Sequence, residues 1–358
     1  MQGNTLLFLY LLFAAFIGLF SVIINALFLR FSGNLGTRNT DPSAVRWSST
    51  TKPALGGISF YIIFLLSIAF YSVFLHNEAN FINTQMMGIL GAVSLGFLLG
   101  LADDGYNTKP LMKFSLQVLC GLILVSTGTY IKILPNEFAN YTLTMFWVVG
   151  LMNSVNMLDN MDGVTTTTSI SIVVGAIMLL LLQGNVTGIH LAMLVGVLAA
   201  LCGFLVFNWH PSRMYMGDTG SMFLGVFLAA IGIIYFWNAA DYHGEVVQSK
   251  QFIIAALMFI VPICDTATVT INRLLKGKSP FVGGKDHTTH HLSYFGFSDR
   301  GVALTLFGIS FATNILCVFV VNFIENWTLL HFLGFGLYFL FIFAFLYGNT
   351  RIDWKSKR

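Results

Sequence analysis

The sequence predicts an all-α, polytopic integral membrane protein with about eleven transmembrane helices, ten at the least. Three observations predict it. Of 358 residues, 56% are hydrophobic and only 9% are charged, against roughly 25% charged in a soluble domain. Mean hydropathy is +0.79 and 35 residues are Phe. Apolar runs approaching the roughly 20 residues that a membrane span needs recur along the whole chain. A water-soluble globule and a disordered chain are both excluded on these grounds.

Taken in order, the runs fall near 6–29, 55–75, 86–101, 114–133, 143–157, 168–182, 189–207, 221–237, 252–271, 302–323 and 329–347. The third, fifth and sixth are short, which is why ten spans are also allowed. The first has no basic residue before it and no small-residue cleavage site after it, so it reads as a retained span and not a signal peptide. The four cysteines (Cys120, Cys202, Cys264, Cys317) sit in apolar runs without metal-ligand spacing and read as small buried hydrophobes. No repeat and no separate soluble domain is evident, so residues 1–358 read as a single transmembrane domain.

Charge orients the runs. Sixteen of the 18 basic residues fall in connections on one side, among them Arg30, Arg38, Arg46, Lys52, Lys109, Lys113, Arg213, Arg273, Lys285, Arg300 and the tail from Arg351 to Arg358; only Lys132 and Lys250 fall on the other. By the positive-inside rule that side is cytoplasmic and the N-terminus is outside. Trp237 and Trp327 sit at outer span ends, and Trp209 and Trp354 at inner ones. Every cytoplasmic-side acid is Asp (41, 103, 104, 159, 162, 218, 265, 286, 299, 353), whereas the outer side holds Glu78, Glu137, Asp241, Glu245 and Glu325. Short, stiff carboxylates suit sites where position matters, such as metal coordination.

Four polar constellations lie at the cytoplasmic ends. Asp103-Asp104 close the third span; two adjacent carboxylates at a membrane surface need a cation or protons, or else form a solvated helix end with Lys109 and Lys113 as counter-ions. Asn153, Asn156, Asp159 and Asp162 recur every three residues, drifting round one face if helical. Asp218 lies among glycines and hydroxyls in MGDTGS (216–221), where Asp218 or Thr219 could also cap the eighth helix. Lys285-Asp286-His287-Thr288-Thr289-His290-His291 follows GKSPF (277–281); its imidazoles and lysines fit a zinc site with oxygen co-ligands or a phosphate-binding surface. Asp265, inside the ninth run, reads equally as a structural partner or a catalytic group. His76, His190, His243 and His331 lie at outer ends and read as incidental. Carboxylates and amides beside basic loops suit Mg²⁺ and a pyrophosphate substrate.

With KPALGG (52–57), the Asp103-Asp104 pair, NSVNMLDNMDG (153–163), MGDTGS and GKSPF with the histidine motif in this order, the chain resembles the polyprenyl-phosphate N-acetylhexosamine-1-phosphate transferases. The resemblance spans residues 52–292 and implies an enzyme in which a lipid phosphate attacks the β-phosphorus of a UDP-N-acetylhexosamine, releasing UMP. It implies Mg²⁺ (Mn²⁺ as a substitute) on Asp218 with Asn156 nearby. Asp103 and Asp104 would position or deprotonate the lipid phosphate. Asp159, Asp162 and Tyr215 would serve the uridine side, Asn153 would bind substrate beside them, and Lys52, His287, His290 and His291 would contact phosphate or sugar. The implied partners are UDP-N-acetylhexosamine, a polyprenyl (undecaprenyl) phosphate and the bilayer, with a homodimer allowed and no nucleic acid. The histidine motif is one residue longer than the family's usual His-x-His-His, and Asn160 stands where glycine is common. KPALGG, in place of a TPTMGG-like start, points to GlcNAc-1-phosphate transfer at the first membrane step of cell-envelope polysaccharide (lipopolysaccharide or O-antigen) synthesis. The phospho-N-acetylmuramoyl-pentapeptide translocases of peptidoglycan synthesis are the alternative within the family. A transporter or lipid flippase is the alternative outside it, and would place polar groups near mid-membrane.

Overall fold

The computed structural model describes residues 3–32, 52–75, 82–184, 188–239, 246–280 and 283–352. The expectations attached to Arg38, Asp41, Arg46, His76, Glu78, Asp241, His243, Glu245, Phe281, Asp353, Trp354, Lys355, Lys357 and Arg358 lie outside these residues. Among the described residues thirteen α-helices follow one another, with one isolated β-bridge and no strand. They are α1 (Gly3–Phe31), α2 (Gly56–Phe70), α3 (Thr84–Tyr106), α4 (Pro110–Ser126), α5 (Glu137–Leu158), α6 (Val164–Leu182), α7 (Ile189–Asn208), α8 (Gly217–Gly232), α9 (Gln248–Met258), α10 (Ile260–Leu275), α11 (Thr288–Phe295), α12 (Asp299–Phe323) and α13 (Leu329–Thr350).

Eight of these are long and apolar enough to cross a membrane: α1, α2, α3, α6, α7, α8, α12 and α13, with α2 and α8 each lengthened by a π-helical turn. The chain is therefore a multi-pass membrane protein. The fourth predicted run is the 17-residue α4 and the fifth the 22-residue α5, whose Glu137, Asn140, Asn153 and Asn156 lower its hydropathy. The third and sixth runs are not short: α3 continues through Asp103-Asp104 to 23 residues, and α6 begins four residues early, at Val164 followed by three threonines, to reach 19. Hydroxyls make that start tolerable, since Thr167 Oγ1 donates to Gly163 O and Thr166 Oγ1 to Asn208 Oδ1.

The run 252–271 is not one straight helix. It breaks by 80° between α9 and α10. Pro262 lacks the N–H that would reach Met258 O, and its ring would clash with that carbonyl, so a helix cannot continue through it and must restart.

α8 is the hub. It is almost wholly buried against α2, α3 and α5, while α1 and α13 present rows such as Phe8, Leu11, Leu19, Leu329, Leu337 and Phe341 outward. In lipid, outward apolar residues cost nothing, and helices associate through close packing instead. At Gly100 of α3 an added Cβ would lie 2.5 Å from the Asp218 carbonyl carbon and from Thr219 Cα, so a bare backbone is required to bring α3 onto the first turn of α8. Cys120, Cys264 and Cys317 are buried as expected, but Cys202 is exposed, on the outward face of α7.

Asn208 ends α7 and bolts three segments together. Its Oδ1 accepts from Gly163 N (3.1 Å) and Thr166 Oγ1 (2.7 Å), and its Nδ2 donates to Met214 O (3.1 Å). Asn208→Ala leaves buried donors unmet and is expected to cost about 2–3 kcal/mol, read as a lowered thermal midpoint in detergent.

Candidate active site

The C-terminal ends of α3, α5 and α7 and the N-terminal end of α8 meet at one end of the bundle. There the Asp103-Asp104 pair divides its labour. Asp103 is buried: Oδ1 accepts from Thr108 N (2.9 Å) and Thr108 Oγ1 (2.6 Å), and Oδ2 pairs with Lys113 Nζ at 2.8 Å. The counter-ion reading thus holds for Lys113. Asp104 points across to α8, where Oδ1 accepts from Asp218 N (3.1 Å) and Oδ2 from Thr219 N (2.8 Å) and Thr219 Oγ1 (2.7 Å). The expectation that Asp218 or Thr219 caps α8 is therefore corrected: no side chain of the local segment does so, and Asp104 supplies the oxygens from α3. A carboxylate at that point also complements the helix dipole.

This arrangement leaves the Asp218 side chain for other work. Its Oδ1 accepts from Asn156 Nδ2 at 2.7 Å, and the same amide reaches Ser221 Oγ at 2.8 Å. Asp103 and Asp218 stand within hydrogen-bonding reach of each other. Asp159 faces the same group: burial first, then the carboxylates of Asp218, Asp104 and Asp162, push its pKa up to about 8. Four acidic side chains therefore gather here, of which Asp159 is mostly protonated near pH 7.

The four polar residues from Asn153 to Asp162 do not share one helical face. α5 stops at Leu158, because Asp159 adopts ψ 53 and leaves the helical region, so Asp159 and Asp162 lie in the turn to α6. Asn153 stays on the helix, where its amide pairs reciprocally with Gln117 (2.9 and 3.2 Å) and bonds no member of the Asp218 group that is described.

Asp162 anchors a second group. Its Oδ1 accepts from Ser212 Oγ (2.7 Å), and Oδ2 from Ser212 N and His210 Nδ1, both at 3.0 Å. Lys52 Nζ stands 3.6 Å from Oδ2, donates to Ser212 Oγ at 2.9 Å and lies 5.0 Å from the Tyr215 ring centroid. Burial alone would raise the Asp162 pKa, but the Ser212 donors, Lys52 and His210 outweigh it and hold it below the ordinary carboxylate value. KPALGG reaches this group through backbone pairing: Tyr215 N donates to Pro53 O, Gly56 N to Tyr215 O and Gly57 N to Met216 O. Sequence reasoning passed over His210 and Ser212. Their only signal was a place in the same connection as Asp218.

The histidine motif forms α11. Asp265 Oδ1 accepts from Thr288 N (2.9 Å) and Thr288 Oγ1 (2.6 Å), and Oδ2 stands 2.8 Å from His287 Nδ1. Arg273 grips Asp286 through Nε (2.9 Å) and Nη2 (2.7 Å) and donates to Pro280 O, closing the GKSPF loop. Burial opposes ionisation of Asp286, yet Arg273 holds its pKa below the ordinary value. Burial, then His287, pushes the His290 pKa down to about 3, so its imidazole is neutral near pH 7. Thr289 Oγ1 reaches Asn160 Oδ1 at 2.5 Å, joining α11 to the turn that carries Asp159 and Asp162. Of the histidines read as incidental, His190 bonds Tyr235 OH and His331 bonds Thr328 at the start of α13, both structural.

Among the described residues no three His, Cys, Asp or Glu side chains converge as a ready-made metal cage. The donor set still fits a hard divalent cation. Mg²⁺ usually takes one or two carboxylates and fills its remaining positions with water and substrate phosphates, and Asp218 with the Asn156 amide beside it offers a set of that kind.

Fold and site together define an integral membrane protein with its ionisable chemistry gathered at one end of a helical bundle. A family model described as glycosyl transferase family 4 matches residues 86–236. A probable undecaprenyl-phosphate N-acetylglucosaminyl 1-phosphate transferase of Bacillus subtilis (strain 168) is 27% identical over 306 residues, 83% of this chain and 81% of the relative. A decaprenyl-phosphate N-acetylglucosaminephosphotransferase of Mycobacterium leprae is 28% identical over 282 residues, 72% of this chain and 70% of the relative. A phospho-N-acetylmuramoyl-pentapeptide-transferase of Streptococcus agalactiae is 33% identical over 204 residues, 51% of this chain and 59% of the relative. Residues 86–236 thus match glycosyl transferase family 4, and over most of its length the chain is similar to polyprenyl-phosphate N-acetylglucosamine-1-phosphate transferases.

Proposed function

We propose that the chain transfers GlcNAc-1-phosphate from UDP-GlcNAc to a polyprenyl phosphate, undecaprenyl phosphate in a bacterial inner membrane. A lipid phosphate oxygen attacks the β-phosphorus of the donor. The bond from that phosphorus to the bridging oxygen breaks, UMP leaves with the electron pair, and the lipid keeps a sugar diphosphate. The observation that carries this reading is the carboxylate group of Asp103, Asp104, Asp159 and Asp218 at one bundle end, with Asn156 on Asp218.

Each residue then has a task. Asp218, with Asn156 beside it, would hold Mg²⁺, which neutralises phosphate charge during transfer. Asp104 fixes the backbone N–H groups of Asp218 and Thr219 and so aims the metal-binding carboxylate. Asp103, braced by Lys113, faces the incoming lipid phosphate. That phosphate has a second pKa of about 6 by analogy with phosphorylated side chains, so it arrives mostly ionised and needs little help from a base. Lys52, Tyr215 and the Asp159–Asp162 turn serve the nucleotide, Asn153 ties α5 to α4 through Gln117 beneath the site, and His287, His290 and His291 serve phosphate or sugar. In this reading residues 1–358 work as one domain, the site faces the cytoplasm and the N-terminus lies outside, supported by the distribution of Lys and Arg.

The test is a donor panel. Purified protein with Mg²⁺ and undecaprenyl phosphate is offered UDP-GlcNAc, UDP-GalNAc and UDP-N-acetylmuramoyl-pentapeptide, and UMP is measured. UDP-GlcNAc is expected to be turned over fastest, and EDTA to stop the reaction until Mg²⁺ or Mn²⁺ is restored. Preference for the pentapeptide donor would move the chain to the translocase branch; no UMP from any donor would sink the reading.

A further inference from the structure

α11 has only eight residues, too few to hold a helix by themselves, and beyond the capping box that His287 and His290 form at its start its histidines are fixed from other elements. Two side chains from different elements do so. Asp265 is fully buried in α10; it takes up the Thr288 N–H, one of the donors that a helix start leaves unmet, together with the Thr288 hydroxyl and His287 Nδ1. Asn160 reaches α11 from the α5–α6 turn. Its own Nδ2 is tied to Met157 O at 2.8 Å, which fixes the direction of the Oδ1 that accepts from Thr289 Oγ1.

Thr288 and Thr289 are neighbours, yet they bond α10 and the α5–α6 turn respectively. Two bonds in different directions from adjacent residues restrain α11 against both rotation and sliding. The second bond also links the histidines directly to the segment holding Asp159 and Asp162. Thr289 is fully buried, so water does not replace that partner at low cost.

We propose that Asp265 and Asn160 are positioning residues, which hold His287, His290 and His291 in register with the Asp159–Asp162 turn so that both grip one nucleotide-sugar donor. This rests on the transferase reading above. Neither residue is asked to touch substrate; Asp265 acts through Thr288 and His287 and Asn160 through Thr289, and small misplacements of binding groups are costly.

Asn160→Ala and Thr289→Val are each expected to raise KM for the UDP-sugar about tenfold, the worth of one well-placed buried hydrogen bond. KM for polyprenyl phosphate and kcat stay at wild-type values. The double variant is no worse than either single one, and Thr289→Ser restores wild-type KM. An unchanged donor KM, additive losses, or equal rises in both KM values would overturn the proposal. Asp265→Asn, which disturbs three bonds, is read by hydrogen–deuterium exchange across residues 287–292, as is Asn160→Ala. Faster exchange confined to that segment supports the two locks, and wild-type exchange overturns them. A wild-type protein that releases no UMP would defeat the transferase reading alone, since the exchange measurement decides the locks without turnover.

Discussion

Asp218→Ala is expected to lower kcat for UMP release by about 10³-fold or more, while the protein still folds. The size follows from the role: charge neutralisation at a transferring phosphoryl group is worth several kcal/mol, and no neighbour can take it over. Asp103 is engaged with Lys113 and Thr108, and Asp104 with Thr219 and the backbone of Asp218. The fold survives for equally local reasons. The backbone N–H that Asp104 accepts remains in the variant, and Asn156 Nδ2 keeps Ser221 Oγ at 2.8 Å. Losing one member of a like-charged group also relieves repulsion on Asp159. UMP release and a thermal melt in detergent check the two halves. Retained turnover would remove Asp218 from the metal site.

Gly57→Ala is expected to cost about 3 kcal/mol of stability and to abolish activity in whatever protein folds. A Cβ at Gly57 would lie 2.5 Å from Gly220 Cα and 2.6 Å from the Thr219 carbonyl carbon. Both are backbone atoms in the first turn of α8, which cannot rotate aside as a side chain can. Such overpacking typically costs 1–3 kcal/mol, here at the upper end because no rotamer relieves it. The added methyl must push the KPALGG segment off α8, breaking the Gly57 N to Met216 O bond of 2.9 Å and carrying Lys52 away from Asp162. Expression yield and thermal midpoint read the first effect, and UMP release the second. Gly57→Ala with wild-type yield and rate would mean that the segment docks elsewhere.

Most of the fold was legible because a lipid-facing chain advertises itself through long apolar runs, and every predicted run contains helix. The break at Pro262 was legible in principle, since the proline lies inside a predicted span. What the sequence hid are bonds between distant segments. Asp104 was visible as an acid next to another acid, but nothing local says that it caps a helix more than a hundred residues later. Asn153, Asn156, Asp159 and Asp162 share a three-residue spacing, yet only the first two are helical, because spacing says nothing about where a helix stops. Asn160 in place of glycine and the lengthened histidine motif that holds Thr289 looked like separate departures from a pattern. Only the fold shows that Asn160 and Thr289 bond each other.

The bond from Asp104 to α8 bears on the order in which the protein is made. Its partners Asp218 and Thr219 lie 114 and 115 residues later, and ribosomes add about 5–20 residues per second. For on the order of ten seconds, then, the translocon holds a newly inserted α3 whose acidic end has neither α8 beneath it nor the backbone donors it will later grip. Those two carboxylates must wait at the water boundary during that interval. The arrival of α8 is thus the moment at which the nascent chain changes from a set of inserted helices into one whose acidic end is held.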